Sequence, residues 1–311
     1  MLQFGIDLGG TKTELIVLDP SGQIIWRQRQ PTPAHSYTAI LDSIVDLVNR
    51  AQCQVAVKAN ALGVGAPGTP FGPEGRLKNA NTTCLIGQRL ADDLSRRLET
   101  AVIVENDANC LVLSEAIDGA GAGASVVFGV ILGTGVGGGL AIHGQLVNGP
   151  NRITGEWGHN PLPRWHWPQT APHTPRPCYC GSTDCIETYL SGAGLVQTFQ
   201  ELNNSLDLPC DAQAIAAAAD RGDPIAKRAL SAYFDALSRS LATVINIIDP
   251  DVVVFAGGLS QLPGLCAGVK ERLAAHVFGQ DVHTRLVIAK HGDSSGVRGA
   301  AWLTRQHPSS S

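Results

Sequence analysis

The densest chemistry in this sequence lies at Cys178-Tyr179-Cys180-Gly181-Ser182-Thr183-Asp184-Cys185-Ile186-Glu187. Three thiolates so close together, folded round a glycine turn, can take three corners of a Zn²⁺ tetrahedron. A fourth ligand is needed, and His159, His166 and His173 all lie upstream. With its ligands supplied by the protein, such a site is structural. Metal ligation would clamp His159 within Gly155-Glu156-Trp157-Gly158-His159 and bring Glu156 towards Glu187. Carboxylates and imidazole suit a polyol, because each accepts hydrogen bonds from paired hydroxyls. Without the cysteines, Glu156 reads as a surface acid and His159 as a core histidine.

Three further stretches carry polar chemistry between apolar runs. In Asp7-Leu8-Gly9-Gly10-Thr11-Lys12-Thr13, adjacent glycines let backbone N–H groups approach an anion, and the nearby Asp7 carboxylate can hold Mg²⁺. An ordinary hairpin turn is the plainer alternative. Gly133-Thr134-Gly135-Val136-Gly137-Gly138 matches the dinucleotide-binding spacing G-x-G-x-x-G. That fingerprint must open a helix, whereas an apolar strand follows here, so a second phosphate-facing hairpin is expected. In Val102-Ile103-Val104-Glu105-Asn106-Asp107-Ala108-Asn109, Asp107 stands where a buried strand meets a helix beginning near Ala108. A carboxylate there can accept a proton from a substrate hydroxyl while Asn106 binds the same ligand. Capping the helix is the alternative role for Asp107, and the two are compatible.

These sites need an alternating α/β framework. Strands are expected at Phe4 to Leu18 around the first glycine turn, Ile24 to Gln28, Ala61 to Ala66 and Val102 to Val104. An amphipathic helix carries Ile40, Ile44, Leu47 and Val48. Asp223-Pro224 predicts the N-cap and first position of a helix that Asp249-Pro250 stops, followed by a buried strand at Asp251 to Phe255. The opening pattern Phe4-Gly5-Ile6-Asp7-Leu8-Gly9 returns 124 positions later as Phe128-Gly129-Val130-Ile131-Leu132-Gly133. A duplicated lobe with a hinge at Gly119 to Ala124 follows from it. The expected division is a small lobe at 1–119, a large lobe at 120–294, and a C-terminal helix within 295–311 packing on the first.

Composition narrows the function. Net charge is −4, and no Lys/Arg block exists, so neither nucleic acid nor an anionic membrane is an expected partner. The stretch Gly119 to Ile142 is uncharged and long enough to span a bilayer, but its nine glycines and central turn indicate two buried strands. No basic export signal opens the chain, and its eight cysteines are too sparse for a disulfide scaffold. Together these point to the cytoplasm.

In this order, DLGGTKT, the Val104 to Asn109 segment, GEWGH, CYCGSTDCIE and AGG at Ala256 to Gly258 resemble the ROK family of sugar kinases over nearly the whole chain. The resemblance implies a two-lobed actin-like ATPase (ribonuclease H-like) fold, with duplicated mixed sheets and an interlobe cleft. It implies Asp107 as general base, with Asn81, Asn106, Glu156, His159 and Glu187 on the sugar. Gly9, Gly10, Thr11 and Lys12, with Gly133, Thr134 and Gly135, would cradle ATP phosphates. Gly257 and Gly258 would meet the adenosine, and Asp7 the Mg²⁺. His159 would complete the zinc site with Cys178, Cys180 and Cys185, although His166 and His173 remain alternatives. A homodimer is also implied. Asp184 stands where the family usually has glycine. The span from His159 to Cys178 is longer than in many members, which predicts a proline-rich flap, Pro161 to Pro177, beside the sugar.

The implied reaction is transfer of the ATP γ-phosphoryl group to the 6-hydroxyl of a hexose. Four stretches, ENDANCLVLSEA, GEWGHNPLP, NIIDPDVVVFAGGLS and AKHGDSSGVRGAAWL, resemble the fructokinase (mannokinase) branch and make D-fructose the expected sugar. N-acetylglucosamine and glucose are the alternatives. A sugar-responsive repressor of the same family would carry a DNA-binding module before the first hairpin, yet only six residues precede Asp7. An NAD-dependent dehydrogenase rests on the Gly133 pattern alone.

Overall fold

An apolar run broken by Gly9 and Gly10 makes the first hairpin. β1 (Gln3–Leu8) and β2 (Lys12–Leu18) pair antiparallel with Leu8 opposite Thr13, and the Gly9 N–H closes the turn on the Lys12 carbonyl at 2.9 Å. β3 (Ile24–Pro31) adds antiparallel to β2 and runs three residues beyond the strand read from sequence. The structure is a computed structural model that describes residues 1–80, 82–163, 174–203, 211–279 and 281–306.

Helix α1 (Tyr37–Val55) begins where the Ser36 hydroxyl accepts the Ala39 N–H, and it ends at Ala56 in the left-handed region. It buries Ile40, Leu41, Ile44, Leu47, Val48 and Ala51, the stripe that the helical spacing predicts. β4 (Ala61–Ala66) lies parallel to β1. A small hairpin of β5 (Thr69–Phe71) and β6 (Arg76–Lys78) and helix α2 (Leu90–Leu98) come next. β7 (Ala101–Asn106) is parallel to β4 and runs straight into α3 (Asp107–Ile117). The sheet order is β3-β2-β1-β4-β7.

The second half repeats this plan with β8 (Val126–Leu132), β9 (Val136–Ile142) and the short β10 (Gln145–Leu146). Helices α4 (Glu187–Leu190), α5 (Gly192–Asn203), α6 (Ala212–Asp220) and α7 (Pro224–Ile248) intervene before β11 (Val252–Ala256). Then come α8 (Leu265–Leu273), β12 (Arg285–Ile288) and α9 (Ser295–Gln306). The order β10-β9-β8-β11-β12, with β11 parallel to both β8 and β12, mirrors the first sheet strand for strand. Asp223 caps α7 by accepting the Ile225 and Ala226 N–H groups at 2.8 Å, a contact worth about 1 kcal/mol. Proline occupies the start of α7 and Asp249 its end, as the sequence predicts.

The chain forms two compact units. The first comprises 1–123, 140–154 and 290–311, and the second 124–139 and 155–289. Residues 140–154 therefore lie with the first unit, whereas the sequence reading grouped them with 120–294. Within the first unit α9 buries Val297, Ala300, Ala301, Trp302 and Leu303 against β1, β4 and α3. Glycine at 63 is what lets it sit so close, because a methyl group there would stand 1.7 Å from the Ala300 carbonyl oxygen. Among the described residues no helix is long and apolar enough to cross a membrane, and the uncharged stretch holds β8 and β9.

Candidate active site

In the first unit the chemistry gathers at the ends of β1 and β7. Asp7, half-buried near the end of β1, has its carboxyl pushed up to about 6. Burial is the main cause, followed by the negative charges of Asp107 and Glu14, while Arg29 pulls the other way. Such uncompensated negative charge on hard oxygen donors fits a divalent cation such as Mg²⁺.

Asp107 is the first residue of α3, and Asn106 is its N-cap. Oxygens of both side chains, Asn106 Oδ1 and Asp107 Oδ1, accept the Ala108 N–H at 2.9 Å. Capping thus falls chiefly on Asn106, and for Asp107 the bond fixes the direction of the carboxylate. Asp107 is open to solvent on one side, yet the surrounding protein raises its carboxyl above the ordinary value against the pull of the helix N–H groups. The Asn106 amide also donates to the Gly68 carbonyl at 3.2 Å. Asn81, the other asparagine expected at the sugar, lies outside the described residues.

Two bracing residues in this unit escaped the sequence reading. The Thr32 hydroxyl donates to the Gly9 carbonyl at 2.8 Å, and its N–H donates to the Thr11 carbonyl at 3.0 Å. Both bonds pin the Gly9–Lys12 turn from the loop after β3, and Gly10, Thr11 and Lys12 stay exposed. Buried Glu105 accepts from the Asn106 N–H, the Asn109 amide and the Asn148 amide at 2.9, 3.1 and 2.8 Å. Thr32 belongs to no motif, and although Glu105 stands in the Val104 to Asn109 segment, only the fold brings Asn148 to it.

In the second unit, His159 and the three cysteines converge. Their ligand atoms all lie within 4.8 Å of one another, with His159 Nδ1 3.5 Å from Cys178 Sγ and Cys180 Sγ 3.6 Å from Cys185 Sγ. Tetrahedral Zn²⁺ with ordinary Zn–S and Zn–N bonds has ligand-to-ligand edges of roughly 3.4 to 3.8 Å, so the donor set fits that ion. The Ser182 N–H and the Cys178 thiol draw Cys180 down to about 6, while burial pushes Cys185 up to about 12. His166 and His173, the alternative fourth ligands, lie outside the described residues, as do 164–173 of the proline-rich segment. Asp184 adopts φ of 55°, the left-handed conformation that glycine tolerates best. Its carboxylate offsets this by accepting the Arg176 N–H at 2.9 Å and the Tyr189 hydroxyl at 2.5 Å.

Glu187 opens α4, and its Oε2 accepts the Val136 N–H at 2.8 Å. Glycine at 135 makes room for it, since a methyl group there would meet Glu187 Oε2 at 2.6 Å. The Gly133-Thr134-Gly135 turn therefore leans on the cysteine motif, and β9 follows it where a dinucleotide site would need a helix. Glu156, exposed, precedes a short turn anchored by the Trp157 indole, which donates to the Gly137 carbonyl at 2.8 Å. Gly257 and Gly258, both exposed, follow β11. Gly257 has φ of 82° and packs where any side chain would strike the Leu132 carbonyl.

Each unit thus offers one glycine hairpin beside acidic side chains, on the same sheet position of a repeated plan. Residues 3–307 match the model of the ROK family. The chain belongs to the ROK family. At 41% identity over 303 residues, 97% of this chain and 99% of the relative, it is similar to an N-acetyl-D-glucosamine kinase of Shigella flexneri serotype 5b (strain 8401). Among solved structures it resembles a ROK hexokinase from Thermus thermophilus, with a TM-score of 0.85, 27% identity and coverage of 98% of this chain and 99% of that one. A ROK family glucokinase from Streptomyces griseus, solved with glucose and AMPPNP, aligns with a TM-score of 0.75 and 29% identity over 98% of this chain and 100% of that one. The repeated mixed sheets of this ROK chain are those of the actin-like ATPase fold.

Proposed function

We propose that this ROK chain is an ATP-dependent hexose kinase that phosphorylates the 6-hydroxyl of N-acetyl-D-glucosamine. The choice of sugar corrects the fructose expectation. Similarity to an N-acetyl-D-glucosamine kinase, spanning nearly the full length of both chains, outweighs four short stretches that resemble fructokinases. The observation that carries the kinase reading is the pair of carboxylates in the first unit, Asp7 and Asp107, both raised above their ordinary range.

Asp107 is the general base in this reading. Phosphoryl transfer needs positioning and charge neutralisation more than covalent help, so a carboxylate held by the Ala108 N–H need only orient the hydroxyl and take its proton late. A raised carboxyl holds that proton better than an ordinary aspartate. Asp7 would hold Mg²⁺, which offsets charge on the ATP phosphates when bound. The Gly9 and Gly133 N–H groups close their own turns on the Lys12 and Gly135 carbonyls, so the turns Gly9 to Lys12 and Gly133 to Gly135 would meet phosphate through their remaining N–H groups, and Gly257 and Gly258 would meet the adenosine. Asn81, Asn106, Glu156, His159 and Glu187 address the sugar hydroxyls. Zinc held by His159, Cys178, Cys180 and Cys185 would keep the imidazole and the Glu187 helix in place.

A coupled ADP-release assay over N-acetyl-D-glucosamine, glucose, mannose and fructose, with and without a zinc chelator, tests the reading. N-acetyl-D-glucosamine should give the highest kcat/KM, and chelation should lower it. Asp107→Asn should keep sugar affinity while kcat falls by roughly two to four orders of magnitude, the usual worth of a general base. Fructose as the preferred acceptor, or near-normal turnover by that variant, contradicts the proposal.

A further inference from the structure

Tyr179 stands between two of the proposed zinc ligands with its side chain 84% exposed. Its hydroxyl nonetheless has a defined partner, His159 Nε2 at 2.9 Å, and the two rings meet edge to face with centroids 5.1 Å apart. The other ring nitrogen, Nδ1, faces Cys178 Sγ at 3.5 Å. A histidine that turns Nδ1 to a metal carries its proton on Nε2, so His159 has one outward donor. In that state the Tyr179 oxygen accepts the Nε2–H. The hydroxyl therefore rests on a side chain proposed for the sugar, at a donor with a single hydrogen to give.

We propose that Tyr179 competes with the sugar for His159, so that a sugar hydroxyl binds Nε2–H only after the phenol turns away. The inference rests on the sugar-kinase reading. An open side chain loses little packing when it turns, and exposed rotamers exchange within nanoseconds, so this is an equilibrium competition and no slow gate. The phenol lowers sugar affinity by the fraction of time it occupies the nitrogen.

Calorimetric titration of the zinc-loaded protein with N-acetyl-D-glucosamine, without nucleotide, tests it. Tyr179→Phe keeps the ring and removes the hydroxyl, so Kd should fall about two- to tenfold, the worth of one solvent-exposed hydrogen bond. Tyr179→Leu also lacks the hydroxyl and serves if the first variant loses zinc or thermal stability. Unchanged or weaker binding in a variant with full zinc content and an unshifted Tm overturns the inference while leaving the kinase reading intact. A wild-type protein that binds none of N-acetyl-D-glucosamine, glucose, mannose and fructose removes the sugar-site reading and this inference with it.

Discussion

At the scale of single residues, Asp7 carries the clearest conflict between function and stability. Its carboxyl titrates near 3.8 in an ordinary setting and at about 6 in the fold. Between those values the folded chain holds a proton that the unfolded chain has lost. The stability from this group is therefore complete below pH 4 and disappears as pH rises through 6. Ionised Asp7 then costs on the order of 3 kcal/mol without a cation. Asp7→Asn should raise Tm relative to wild type at pH 8 and leave it nearly unchanged at pH 4, in metal-free buffer. Mg²⁺ should narrow the pH 8 gap by stabilising the wild type alone. A gap of equal size at both pH values contradicts the assignment. Asp7 and Asp107 could be singled out in the sequence because Asp7 is a lone acid within an apolar run and Asp107 follows a short polar step at the end of one. Thr32 and Glu105 could not, since their partners Gly9, Thr11 and Asn148 are distant in sequence and meet them only through strand pairing and loop return.

At the scale of elements, the two glycine hairpins look alike in sequence but are held differently. The first is braced by Thr32, a residue from a neighbouring loop. The second is braced by Glu187, itself proposed to meet the sugar, through the Val136 N–H. Gly135→Ala puts a methyl group within 2.6 Å of that carboxylate, whereas one at Gly133 meets nothing within 4 Å. Gly135→Ala should therefore weaken N-acetyl-D-glucosamine binding, measured without nucleotide, roughly 10- to 100-fold, the cost of displacing a hydrogen-bonded carboxylate. Gly133→Ala should weaken it far less. Equal losses in the two variants break the proposed link between the hairpin and Glu187. The hairpins themselves were readable because glycine pairs between apolar runs leave few alternatives. Which neighbour each leans on was not, because that depends on residues 23 and 51 positions away.

At the scale of the molecule, the match at four of six positions between Phe4 to Gly9 and Phe128 to Gly133 reported a real repeat of sheet order, but it concealed where the copies differ. In the first sheet Gly5 of β1 sits beside Gly63 of β4; in the second, the corresponding Gly129 of β8 sits beside Val254 of β11. Two adjacent glycines make a flat seat, and α9 occupies it with Ala300 and Ala301. A helix from the last residues of the chain thus completes the core laid down by the first. Gly63→Ala tests this directly. Its methyl group would fall 1.7 Å from the Ala300 carbonyl, a backbone atom that cannot rotate aside, while Val297, Trp302 and Leu303 hold the helix in place. Overpacking against fixed backbone costs about 3 kcal/mol or more. Scanning calorimetry should show a clear loss of stability, with early hydrogen exchange in α9 and β4 and the cysteine cluster still able to bind zinc. A Gly63→Ala protein that melts with wild-type Tm means that α9 does not lie on that glycine pair, and the last helix then has another role than closing the first core.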